Sequence, residues 1–185
     1  SALPLLDHVS GERLRHELFL ILAEAEPELA LERLRALGVL DHLVPGMVCP
    51  RELPTLFRRL RERFRTLPPP QAGDEAPASL PLCYLAVLTS SLDARALAGL
   101  AERLRLSQRD TRLLREVGAL RDRLPELCAP AMLPSHIYRL LEPYSREARF
   151  VLSVLTESPE VRERLDLYER VDRKSTRLNS SHQSV

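Results

Sequence analysis

The residue types that most often carry out catalysis are sparse in this sequence and stand far apart. Cys49, Cys83 and Cys128 are the three cysteines, and no two of them have metal-ligand spacing. An odd number of scattered cysteines is typical of a reducing compartment, so we expect a cytoplasmic protein. Cys83 stands in an apolar run and is predicted to be a small core residue.

Histidine, aspartate and glycine form no recognisable site either. His8 and His16 could share a helix face, but no companion ligand accompanies them. The Asp41-His42 pair is reversed relative to the His-Asp signature of metal phosphohydrolases and predicts a turn. No two aspartates have the D-x-D spacing of two-metal nucleotidyl transfer, and no glycines form a phosphate-cradling loop. We therefore predict no catalytic site, metal or cofactor in this chain.

Arginine, by contrast, is clustered between residues 58 and 65, where Glu62 is the only acid. Guanidinium groups are forked donors suited to phosphate oxygens, and each phosphate contact releases counterions. RNA duplexes are recognised mainly through shape and backbone, so arginines lying away from an apolar helix face predict an RNA-binding surface. The alternative is a solvated face paired with acids of neighbouring helices. The predicted RNA contacts are Arg58, Arg59, Arg61, Arg63 and Arg65, and a second set, Arg105 and Arg109, around Ser107.

The elements that must position these arginines are helices. The chain is 44% hydrophobic but only 4% aromatic, and no stretch alternates with period two. This composition predicts an all-α protein, a multi-helical array of short antiparallel helices with no sheet. Serines before helical patterns predict N-caps, and Gly38 predicts a helix end. The predicted N-caps are Ser10, Ser107 and Ser135. The predicted helices are 11–25, 27–37, 52–67, 80–91, 93–105, 108–127, 135–142, 145–156 and 159–170, with a turn or short helix at 39–45.

A proline-rich stretch at 68–79 predicts a linker between two helical parts, residues 1–67 and residues 80–171. No apolar run approaches the roughly 20 residues needed to span a bilayer, so no membrane partner is expected.

The last fourteen residues, 172–185, differ in kind from the rest. They contain the only lysine, Lys174, and the only asparagine, Asn179, of an otherwise arginine-rich chain. The string from Asp172 to His182 matches the in-frame translation of a common sequencing adapter, so we interpret this tail as an artefact. Without its three basic residues and one acid, the formal net charge falls from +1 to −1. Any nucleic-acid surface must then come from local clustering of arginines.

The segment from Val9 to Leu18, V-S-G-E-R-L-R-H-E-L, resembles the R-I-S-x-E-R-x-x-x-E-L segment of the class II tRNA nucleotidyltransferases, the bacterial CCA-adding and poly(A)-adding enzymes. In that family the segment lies in the helical neck after the catalytic head, where its role is structural. The leading arginine of the family is His8 here. The matching residues are Ser10, Glu12, Arg13 and Glu17.

Two further segments are similar to the same family. Residues 30–40 look like the next helix with its terminating Gly38, and residues 133–141 look like the K-P-S-E-I-Y-R-L-L helix start, with Leu133 in place of the lysine. The resemblance implies a whole enzyme that adds CMP and AMP, or AMP alone, to tRNA 3′ ends using Mg²⁺ with ATP and CTP. It implies that the catalytic head lies upstream of Ser1. This chain would then supply the end of the neck, the body and the tail, which bind tRNA or other structured RNA.

Two other functions fit the sequence. A helical protein–protein interaction module would use its apolar faces for a partner and would show no salt-sensitive tRNA binding. A helix-turn-helix DNA binder could be built from residues 93–127, but the arginines of the second helix are offset by acids.

Overall fold

The computed structural model describes residues 8–43, 51–67 and 77–181, with side chains as far as residue 172. Within these ranges all regular structure is helical and no strand occurs, which confirms the all-α prediction. No helix in this described part is long and apolar enough to cross a membrane. The helices are α1 (Gly11–Leu22), α2 (Pro27–Ala36), α3 (Val39–Leu43), α4 (Leu53–Arg65), α5 (Leu80–Thr89), α6 (Ala94–Arg103), α7 (Gln108–Asp122), α8 (Leu124–Leu127), α9 (Pro134–Leu141), α10 (Arg146–Leu155) and α11 (Pro159–Ser181).

Local sequence signals account for most helix ends. The Ser10 hydroxyl accepts from the backbone N–H of Arg13 at 3.3 Å, and the Ser107 hydroxyl accepts from that of Asp110 at 3.0 Å. Each bond satisfies one of the backbone donors that the first turn leaves open, so both predicted N-caps are confirmed. Gly38 adopts φ 74° just after α2, as expected of a helix-terminating glycine.

The predicted N-cap at Ser135 is wrong. The capping position is Leu133, which makes no side-chain hydrogen bond to the helix, and Ser135 lies inside the first turn of α9. Pro134 accounts for the shift, because its fixed φ and missing N–H suit the first helical position.

The single helix predicted over 108–127 is also wrong, because the chain breaks it into α7 and α8. Arg123 ends α7, and its N–H bonds back to the Leu120 carbonyl at 3.0 Å. Pro125 cannot donate a helical hydrogen bond and its ring crowds the preceding turn, so the helix restarts there as the short α8. At the other end of the chain, α11 runs to Ser181, beyond the end predicted at residue 170.

The core is built around α5, whose residues 82–89 are all buried. A helix that is apolar on every side must be enclosed, and α1, α4, α7 and α10 all pack against it. The Phe57 ring of α4 lies 4.2 Å from the Tyr84 ring of α5, centroid to centroid. Cys83 is a core residue as predicted, and burial raises the pKa of its thiol to about 12. One apolar core therefore contains side chains from both sides of the proline-rich stretch, most of which lies outside the described residues.

Candidate nucleic-acid interface

Arg61, at the centre of the arginine row on α4, is held inside the fold. Its two terminal nitrogens donate to the two carboxylate oxygens of Glu28 on α2 at 2.7 and 2.8 Å, and one also donates to the Tyr84 hydroxyl at 3.3 Å. Burial raises the pKa of Glu28, but the hydrogen bonds and charge of Arg61 outweigh it, so the pKa lies below its ordinary value. This bidentate pair joins α2, α4 and α5.

Arg59 and Arg63 are half-buried and also contact other helices. A terminal nitrogen of Arg59 donates to the Val154 carbonyl at the end of α10 at 2.9 Å. Arg63 lies 3.6 Å from the Asp166 carboxylate of α11, an ion pair that is longer than a hydrogen bond.

Arg58 and Arg65 are the exposed members of the row. With Glu62 they form one stripe at helical spacing on the outer side of α4, and neither side chain donates a hydrogen bond to a described residue. The five predicted contacts therefore do not lie on one face: Arg58 and Arg65 share the outer stripe, while Arg59, Arg61 and Arg63 lie at interhelical contacts.

The Ser-x-Glu-Arg segment lies at the N-terminus of α1. Ser10 caps the helix, and Glu12, Arg13 and Glu17 are exposed on its outer side. The intervening Gly11 is placed where the helix start meets the end of α6. A Cβ atom on Gly11 would overlap the Arg103 carbonyl oxygen, so only glycine fits this close approach.

Arginines at this α1–α6 junction donate to backbone carbonyls. A terminal nitrogen of Arg15 donates to the Arg105 carbonyl, and one of Arg103 donates to the Val9 carbonyl at 3.5 Å. Arg105 adopts φ 51° just past α6, and the bonds Leu106 N–H to Ala101 carbonyl (2.9 Å) and Arg105 N–H to Glu102 carbonyl (3.1 Å) complete a Schellman ending. Arg109, the other member of the second predicted set, is exposed in the first turn of α7.

A cleft of about 530 Å³ opens between α4, α10 and α11, and we refer to it as the basic cleft. Apolar side chains line part of it: Leu67, Phe150 and Leu165. Its charged lining consists of Arg63, Arg146, Arg149, Arg170, Asp166 and Glu169. Four arginines against two acids make it a concave surface with excess positive charge, which attracts anions.

Sequence reasoning included Arg63 but missed its companions Arg146, Arg149 and Arg170. The signal within each helix was visible, since Arg146 and Arg149 are three apart on α10, and Asp166 and Arg170 are four apart on α11. These residues lie beside Arg63 of α4 only because segments about a hundred residues apart pack together. The spacing of residues within one helix does not predict such a contact.

Comparison with known proteins supports this view of the fold. Residues 1–49 match a family model described as "Probable RNA and SrmB- binding site of polymerase A". A solved CCA-adding enzyme in apo form I is 21% identical with a TM-score of 0.67, covering 94% of this chain and 40% of that one. A tRNA-processing enzyme complex is 23% identical with a TM-score of 0.61, covering 89% and 43%. A search of curated proteins finds no match.

The chain thus has the helical fold found in solved CCA-adding and tRNA-processing enzymes, and its first 49 residues match the RNA-binding family model. The resemblance predicted from the segment around Ser10 is confirmed. This chain spans about two fifths of the length of those solved chains. In its described part, no three His, Cys, Asp or Glu side chains come together as metal ligands.

Proposed function

We propose that this chain is the RNA-binding, non-catalytic part of a tRNA nucleotidyltransferase. The observation that carries the proposal is the match of residues 1–49 to the RNA-binding family model, within a fold shared with CCA-adding enzymes. The whole enzyme would add CMP and AMP, or AMP alone, to tRNA 3′ ends. Its magnesium ions and nucleotide site would belong to a head domain upstream of Ser1, where we expect the gene to encode a D-x-D motif.

The outer stripe of α4 is a proposed contact with RNA phosphates. Arg58 and Arg65 are exposed, and Glu62 between them is the only acid of the stripe. Neither arginine supports the fold through a hydrogen bond to a described residue, so their donors remain available to phosphate oxygens. Arg61 is a poor choice for testing this idea, because its removal would leave Glu28 without its partner.

The test is equilibrium binding of the full chain to tRNA over a range of salt concentrations. We expect the logarithm of the binding constant to fall linearly with the logarithm of salt concentration. Replacing Arg58 and Arg65 together by Gln should reduce the magnitude of the slope of that log–log plot by about 1.4 to 1.8. Binding that is absent, or insensitive to salt, would contradict the proposal and favour the protein–protein module. Equal affinity for a DNA duplex of matched length would instead favour the helix-turn-helix alternative.

A further inference from the structure

One arginine of the basic cleft is fully engaged by the fold. Arg149 is 5% exposed, and its Nε donates to Glu169 at 2.8 Å. One terminal nitrogen donates to the carbonyls of Leu141 (3.4 Å) and Tyr144. The guanidinium also lies 4.4 Å above the centre of the Tyr168 ring. Its other terminal nitrogen lies 3.9 Å from the Asp172 carboxylate. Arg149 therefore joins α9, α10 and α11, and its burial keeps it from reaching a ligand.

Three other arginines of the cleft have guanidinium N–H groups that make no hydrogen bond to the described residues. Arg63 is 3.6 Å from Asp166 and Arg146 is 3.7 Å from Glu169, both beyond the usual hydrogen-bond range. Neither guanidinium group donates a hydrogen bond to any described residue. Among the described residues, Arg170 donates only from its Nε, to the Asp166 carbonyl of its own helix at 3.2 Å, and neither terminal nitrogen donates to any of them. The neighbouring carboxylates hold these side chains near the cleft without saturating them.

The three arginines with unused donors come from three helices that line a cleft of about 530 Å³, which is far larger than one small inorganic anion. Such an arrangement matches successive phosphates along a strand better than one small anion, which favours an enclosed site. The apolar lining from Leu67, Phe150 and Leu165 suits the sugar or base between phosphates. We propose that the basic cleft binds the sugar–phosphate backbone of RNA through Arg63, Arg146 and Arg170. This inference rests on the proposed function, since it names a second place where the chain contacts its RNA.

Removing the negative charge of Asp166 should strengthen tRNA binding, whereas removing the arginines of the cleft should weaken it. Its side chain is 57% exposed and lies in the cleft beside Arg63, where it competes with phosphate for the guanidinium and repels the RNA backbone. Replacing Asp166 by Asn keeps the shape and removes the charge. We therefore expect tRNA affinity to rise by about two- to fivefold in this variant.

The main experiment uses the full chain and compares two double variants that each remove two positive charges. In the first, Arg63 and Arg146 of the cleft become Gln. In the control, Arg95 and Arg115 become Gln; both are exposed and neither lines the cleft. We expect the cleft variant to bind tRNA roughly tenfold more weakly at about 0.1 M salt, and the slope of log affinity against log salt concentration to be shallower by about 1.4 to 1.8. The control should change affinity by less than about threefold.

Binding of tRNA by the unmodified chain tests the proposed function, and the difference between the cleft variant and its control tests the role of the cleft. If the unmodified chain does not bind tRNA, the proposed function fails. If it binds, but the cleft variant behaves like its control while both unfold at the same temperature as the unmodified chain, only the cleft assignment fails. Competition with inorganic phosphate or AMP identifies the ligand. Displacement of tRNA by either one at matched phosphate concentration would make the cleft a small-anion site and overturn the backbone assignment.

Discussion

The two sides of α4 contain arginines in opposite states. On the side facing α2 and α5, Arg61 makes three hydrogen bonds with two fixed partners and is largely enclosed. On the side facing α10 and α11, Arg63 is about one third exposed and forms one long ion pair. Only Glu62 separates them in the sequence. The difference shows that the contacts around an arginine side chain decide whether its donors are available to RNA. The number of arginines in a segment does not decide it.

The same distinction holds at the α1–α6 junction. There Arg15 and Arg103 donate to backbone carbonyls that cannot move away, so both side chains serve the fold. Charged hydrogen bonds to fixed backbone acceptors fasten two helix ends together. We accordingly expect substitutions on the α2–α4–α5 side and at this junction to change stability. Substitutions in the basic cleft should change RNA binding.

The largest effect is expected at Arg61. Replacing it by Ala leaves Glu28, which is 9% exposed, without a partner, and should lower the free energy of unfolding by about 3 kcal/mol. Arg58→Ala on the same helix removes an exposed side chain and should cost under about 0.5 kcal/mol. Denaturant unfolding at pH 7 measures both.

The pH dependence of the stability lost in Arg61→Ala tests whether the Glu28–Arg61 ion pair causes that loss. Because the pKa of Glu28 is lowered in the fold, its pair with Arg61 contributes stability above about pH 4.5 and loses it as the pH falls through the lowered value. The difference in unfolding free energy between the unmodified chain and Arg61→Ala should therefore shrink between pH 7 and pH 3. An equal difference at both values would mean that lost packing, and not the ion pair, explains the effect.

A smaller loss of stability is expected at Gly11. Its Cβ position overlaps the Arg103 carbonyl, which is backbone and cannot rotate away, so Gly11→Ala should cost about 2 kcal/mol or more. Gly99 on α6 is the matched control, since a Cβ there meets nothing within 4 Å. Gly99→Ala should stabilise the chain by about 0.5 to 1 kcal/mol through helix propensity. Thermal unfolding of both variants tests the pair, and destabilisation by Gly99→Ala would refute this account of the junction.

These sites also show how far the sequence could predict the structure. Helices, most of their ends and the core role of Cys83 follow from periodicity, capping serines and prolines, all of which act over a few residues. The exceptions at Ser135 and Pro125 arose where a proline outweighed a local pattern. Gly11 appeared in the sequence as the unspecified position of a motif, and its contact with α6 needs the tertiary fold. The basic cleft could not be predicted for the same reason, because its arginines come from three helices.

The smallest effect is expected at Arg105. This variant also tests whether an exposed arginine supports the fold or contacts RNA. This residue adopts the left-handed backbone conformation that glycine favours, so Arg105→Gly should relieve strain. Part of that gain is offset by the greater freedom of glycine in the unfolded chain, leaving a rise of about 0.5 kcal/mol in unfolding free energy. The Arg105 carbonyl that accepts from Arg15 is backbone and survives the change. The Arg105 Cγ lies beside Gly11 at the α1–α6 junction. The residue is exposed, but it is not on α4 and does not line the basic cleft, so we expect tRNA affinity and its salt dependence to stay unchanged. A weaker binding constant with a shallower salt dependence would instead assign the Arg105 side chain to the RNA contact predicted from the sequence, and extend the interface from α4 to the end of α6.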